Sequence, residues 1–219
     1  SHRTRQVWSA FARPPALRSF VDHPRGRWFA LIVVAAGMWL SVLNITIVNI
    51  ALPDIAREMR VDLTSVGWVV TGFLVMQATL LPIAGRAGDL YGRRRVFITG
   101  ALILVVASAL CALAWSAPSL IAFRILQAVG ACAMAPTAYS YVGTLFAPHE
   151  RGHAMGVLTG AIGLAPVVAL NLAGVLMAAF GWRSVFWFTP VIGVLVVLGA
   201  LLVLPELPRS GERPPFDLQ

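Results

Sequence analysis

The chain has 219 residues, 58% of them hydrophobic and only 12% charged, with a formal net charge of +8. Soluble domains average about 45–50% apolar and about 25% charged residues, so this composition excludes an ordinary water-soluble domain and a disordered chain alike. The positive balance does not mark a nucleic-acid binder, because the basic residues, all arginine, cluster beside long apolar runs.

Residues 1–27 hold six arginines, Arg3, Arg5, Arg13, Arg18, Arg25 and Arg27, and read as a basic cytoplasmic tail. Val7, Trp8, Ala10 and Phe11 among them suit either a short interfacial helix stopped at Pro14–Pro15 or a disordered tail. No cleavable signal peptide is expected, since the first apolar run is too long for one and no cleavage site follows it.

A helix that crosses a bilayer needs about 20 mostly apolar residues. Six runs qualify: 28–51, 66–84, 96–115, 119–142, 154–179 and 184–204. They lack the polar stripe of a surface helix. Pro53, Pro118, Pro148 and Pro205 sit just outside these spans, where proline is expected to end a helix. Residues 206–219 read as a cytoplasmic tail or the start of a linker to a second half. The expected fold is all-α, a polytopic membrane protein with residues 28–205 as one six-helix bundle.

Arginine placement orients the bundle. The tail and the loop after the second span, with Arg86 and Arg93–Arg95, carry ten arginines; the opposite connections carry three, Arg57, Arg60 and Arg183. The imbalance puts both termini on the cytoplasmic side of the cell membrane, and an even number of spans agrees. Arginine clusters at that side are also expected to meet anionic lipid.

Polar groups inside the spans are costly and therefore informative. Span one carries Asn44, Thr46 and Asn49, span two Gln77, span four Arg124 and Gln127, and span five Asn171. Counting 1.5 Å per residue from either side, Asn44 and Arg124 lie at similar depth. If spans one and four face each other, the Asn44 amide oxygen can accept from the Arg124 guanidinium, with Gln127 on the same helical face at i+3. The alternative is that Arg124 snorkels to the headgroups. Span five is rich in small residues, among them the Gly156 and Gly160 of a GxxxG, and Gly174; these suit close helix packing, and Pro166 is expected to bend the helix.

Chemistry is not indicated. Cys111 and Cys132 lie in apolar runs and read as small buried side chains. His2, His23, His149 and His153 lie in tails or at a loop, and no G-x-S-x-G or H-E-x-x-H occurs. No cofactor, metal or enzymatic activity is expected.

Between spans two and three the sequence runs Gly85-Arg86-Ala87-Gly88-Asp89-Leu90-Tyr91-Gly92-Arg93-Arg94-Arg95. Glycines permit a tight turn, and Asp89 can satisfy amides at the start of span three and pair with Arg93 at i+4. This stretch resembles the signature loop of the major facilitator superfamily. Leu43 to Pro53 is similar to the first helix of that superfamily's fourteen-helix drug:proton antiporter branch. Arg124 to Pro136 resembles its fourth-helix signature, and Glu150 to Gly156 the exit into helix five.

The resemblance implies half of a major facilitator fold, three helices plus three, with a substrate cavity walled by Asn44, Gln77, Arg124, Gln127 and Asn171. It implies transmembrane efflux of small hydrophobic or drug-like compounds as the amino-terminal half of a transporter. The partners implied are membrane lipid, a small-molecule substrate and a second six-helix bundle, either a missing half or a second copy. The alternatives are a natural half-transporter acting as a homodimer and a truncated membrane protein without transport. The branch has an aspartate where this chain has Asn44, and a glycine at Ala128. Its Gly-Pro and Gly-Gly pairs of helix five align with Ala169-Leu170 and Ala173-Gly174. With no Asp, Glu, Lys or His inside the spans, these six helices are not expected to couple transport to protons.

Overall fold

The computed structural model describes residues 24–207. Most of the basic tail and the stretch from Pro208 onward, both assigned above, lie outside the described residues. Six helices follow in order: α1 Pro24–Met59, α2 Leu63–Tyr91, α3 Arg93–Ala112, α4 Ala117–Leu145, α5 Arg151–Phe180 and α6 Arg183–Val203. All six are long and apolar enough to cross a membrane.

Two starts are capped by side chains. Asp62 accepts from the Ser65 amide at 3.0 Å and from the Ser65 hydroxyl at 2.7 Å, opening α2. The Ser65 hydroxyl, and after it the Ser65 amide, hold the Asp62 carboxyl below its ordinary range. Ser116 and Ser119 form a reciprocal capping box at α4, with proline in its first turn. At Gly92, φ is +95° between α2 and α3, and at Gly181 it is +74° between α5 and α6. These are the two links that need glycine's freedom.

Helix one differs from its expected end. Pro53 does not stop it: α1 continues through the proline to Met59. An internal proline costs a helix about 3 kcal/mol. Here Ala51, Ile55 and Ala56 are buried against the neighbouring helices on either side of it. Glu58 on the extension accepts from the Trp182 indole at 2.8 Å and pairs with Arg183. Tertiary packing thus overrides the local stop signal.

The helices pair across the chain's midpoint. α1 packs chiefly on α5 and α6, and α4 chiefly on α2 and α3. Exchanging the first three helices with the last three leaves that pattern unchanged, as expected of a three-plus-three bundle. The closest seam joins α3 and α4. A Cβ placed on Gly130 would stand 2.6 Å from the Gly100 carbonyl oxygen and 2.6 Å from the Leu104 nitrogen. Only paired glycines allow that approach. On α5, by contrast, a Cβ at Gly156, Gly160, Gly163 or Gly174 meets nothing within 4 Å. The closest backbone approach is thus made at Gly100 and Gly130; on α5 the buried small residues are Ala154, Ala165, Ala169 and Ala173, while its glycine face is turned away from the other described helices.

Polar contacts close both ends. Where α1 begins, Arg27 binds Glu150 through two 2.7 Å bonds, and Trp28 sits edge-on to Phe146 at 5.0 Å and to His153 at 5.4 Å. At the same end Arg94 donates to the Leu201 carbonyl at 2.7 Å and the Tyr141 hydroxyl to the Pro205 carbonyl at 2.8 Å, fastening α6 to α3 and α4. At the opposite end Arg183 also donates to the Ala114 carbonyl at 3.1 Å.

Candidate functional site

Arg124, one to two turns into α4, is the largest fully buried side chain among the described residues, with no exposed surface. Its Nη1 donates to Asn44 Oδ1 on α1 at 2.5 Å and to Gln127 Oε1 at 2.5 Å. Its Nε donates to the Val69 carbonyl of α2 at 3.3 Å, and the Phe73 ring lies over the guanidinium at 4.3 Å. Asn44 in turn donates from Nδ2 to the Thr189 hydroxyl of α6 at 2.8 Å. Four helices thus converge on one cation.

Every group in contact with that cation is neutral. The four ion pairs among the described residues lie elsewhere: Arg27–Glu150, Arg57–Asp54, Arg93–Asp89 and Arg183–Glu58. A buried charge is costly unless paired, so neutral oxygens and an aromatic face carry the whole burden here. Two buried donors in the cluster, Arg124 Nη2 and Gln127 Nε2, have no partner.

The predicted cavity residues separate into two sets. Asn44, Arg124 and Gln127 come together, each with no exposed surface. Their side chains point into the contacts that α1, α2, α4 and α6 make with one another. Gln77 is half-buried on α2, one turn beyond Phe73. Asn171 is exposed on α5 and donates back to its own helix at Val167, 2.9 Å away, and takes no part in the cluster. Val69, Phe73 and Thr189 are additions. Thr189 was discoverable as the one polar residue within the body of the sixth apolar run. Val69 contributes only backbone and Phe73 only a ring face, and neither leaves a sequence signal.

The loop between α2 and α3 is shorter than its motif suggests. Gly85 and Asp89 lie within α2, and Gly92 alone makes the turn. Gly85 and Gly88 instead let α2 approach α4: a Cβ on Gly88 would stand 3.4 Å from Thr137 Cγ2, and one on Gly85 3.8 Å from the Pro136 Cβ. Asp89 does pair with Arg93, at 3.0 Å, but no side chain caps α3. Arg94 is buried beneath α6, while Arg95 and Tyr91 rim an apolar groove of about 370 Å³ between α2, α3 and α4, lined by Ile83, Val96 and Cys132 among others. Pro166 lies inside α5, together with Gly156, Gly160 and Gly174.

A family model described as the Major Facilitator Superfamily matches residues 34–218. The chain is 37% identical over 196 residues to a probable actinorhodin transporter of Streptomyces coelicolor, covering 88% of this chain and 34% of that protein. It is 38% identical over 193 residues to a puromycin resistance protein of Streptomyces alboniger, covering 88% and 38%. It is 36% identical over 161 residues to a multidrug transporter of Bacillus subtilis, covering 74% and 30%. The chain therefore spans about a third to two fifths of the length of these curated relatives. In fold it is similar to a bacterial homologue of the human lysosomal transporter Spinster, inward-facing and occupied. That likeness has a TM-score of 0.76 at 20% identity and covers 86% of this chain and 46% of the other.

Proposed function

The chain belongs to the Major Facilitator Superfamily, and from that premise we propose that it forms the amino-terminal half of a transporter that exports small, drug-like compounds across the cell membrane. The observation that carries this reading is the Arg124 cluster. A charged side chain held among neutral partners inside apolar helices is expensive, and such groups are kept where a solute or ion passes. Relatives named for puromycin resistance and multidrug transport support export as the direction. The open faces of α2 and α5, rich in exposed apolar residues such as Val75, Leu164 and Val175, support a second six-helix bundle as partner. Residues 28–205 are then one bundle of two, with both termini cytoplasmic, and the chain carries no catalytic chemistry of its own.

The test is drug accumulation in a sensitive bacterium. Cells receive the chain alone, the chain joined to the second half of the puromycin resistance relative, or no chain. Lowered puromycin accumulation with the joined form supports the half-transporter, and the same effect with the chain alone supports a homodimer. Unchanged accumulation in both, with protein present in the membrane, overturns the transport reading. Topology is checked separately. In a cysteine-free variant, single cysteines replacing Ser1, Pro118 and Gly211 are exposed to an impermeant thiol reagent outside intact cells; only the one at position 118 should react.

A further inference from the structure

We infer that Arg124 and Gln127 form a site for one small monovalent anion, either a halide or the carboxylate of a solute. The guanidinium has five N–H donors and no acceptor, and it stays charged. Three neutral oxygens, from Asn44, Gln127 and Val69, take Nη1 and Nε, and the Phe73 face covers the ring plane. Nη2 of Arg124 and Nε2 of Gln127 remain buried without partners, on the two side chains joined by the 2.5 Å Nη1–Oε1 bond. Both unmet groups are donors, so what completes them is an acceptor.

Charge selects among acceptors. A water molecule would satisfy the donors and leave the positive charge uncompensated, whereas an anion does both. One guanidinium balances one negative charge, which favours a monovalent ion over sulfate or phosphate. The Thr189 hydroxyl and the Asn44 amide are already engaged with each other, so the recognition falls on Arg124 and Gln127. The Cys111 thiol of α3 is also fully buried and serves as a control position. The site stands on this geometry; that the anion is carried rather than only held rests on the transport reading above.

The experiment measures the thermal unfolding midpoint of the 219-residue chain in detergent micelles, in sulfate at fixed ionic strength, while chloride or benzoate replaces sulfate. A saturable rise of about 5 °C is expected. Chloride acting alone identifies a halide site, and benzoate acting more strongly identifies a solute carboxylate. Asn44→Asp builds a carboxylate into the cluster and should abolish the response; general salt effects on folding are common to both proteins and cancel in the comparison. Gln127→Leu should shift the half-saturating concentration about tenfold upward, and Cys111→Ala should leave it unchanged. A midpoint that does not saturate with either anion overturns the site, as a water-filled cluster would predict. So does an Asn44→Asp protein that responds like the wild type, or a response lost in Cys111→Ala. Because no flux is read, a saturable response beside unchanged drug accumulation would keep the anion site and reject transport.

Discussion

Gly100 and Gly130 on the α3–α4 seam and Gly156, Gly160 and Gly174 on α5 are the same residue in helices of similar apolar character, yet their surroundings are opposite. At the seam a single added carbon would collide with backbone, whereas on α5 it would meet nothing within 4 Å. Within a membrane there is little hydrophobic drive between helices, so contact depends on fit. At the seam that fit is complete within the chain, and along the glycine face of α5 it is left to whatever lies beyond the described helices. A stripe of small residues therefore records the ability to approach, and only the partner's position decides whether the ability is used.

The comparison can be broken at four points. Gly130→Val should have the largest effect, because the Gly100 oxygen and the Leu104 nitrogen, each 2.6 Å from the new Cβ, are backbone atoms that cannot step aside. Overpacking of about 3 kcal/mol or more is expected, read as a fall of about 10 °C in the unfolding midpoint in detergent or loss of the folded peak. Gly37→Ala should cost less, about 1 kcal/mol, since the atom 2.8 Å away is the Cζ of Phe97, the end of a side chain rather than backbone, which can shift by a small tilt of the ring.

On the open side, local bonds replace packing. The start of α2 depends on the Asp62 cap, whose folded-state carboxyl titrates below its unfolded value of about 3.9. Its contribution is present above that unfolded value and is lost as pH falls through the lower folded one. Hydrogen exchange at the Ser65 amide should speed up over that window in the wild type, and be fast at all pH values in Asp62→Ala. Gly160→Leu should do least: the unfolding free energy should stay within about 0.5 kcal/mol of wild type. A large fall there would mean that the glycine face of α5 packs against something in this chain after all.

The sequence carried the count, type and order of the helices, because a 20-residue apolar run inside a membrane has few alternatives to a helix. It also brought Asn44, Arg124 and Gln127 to one place, since depth and helical face are both readable from residue number. Other features depended on partners. Pro53 looked like a terminator until the packing of Ile55 and the bonds of Glu58 outweighed it. Asn171 looked equivalent to Gln127, but exposure depends on which way α5 faces, and an apolar helix without a polar stripe does not reveal that. Phe73 over a guanidinium is indistinguishable in sequence from any other core phenylalanine.

The two bonds that hold the end of α6, from Arg94 to Leu201 and from Tyr141 to Pro205, have a mechanical consequence. They act as a strain relief on a cable. Force applied to the chain after Leu207 is delivered to α3 and α4 before it can unwind the last turn of α6. Since α4 also carries Arg124, a pull at that exit and a change at the buried cation act on one helix from its two halves, with Pro136 between them. In a single-molecule extension experiment, α6 of Tyr141→Phe should peel away at lower force than that of the wild type.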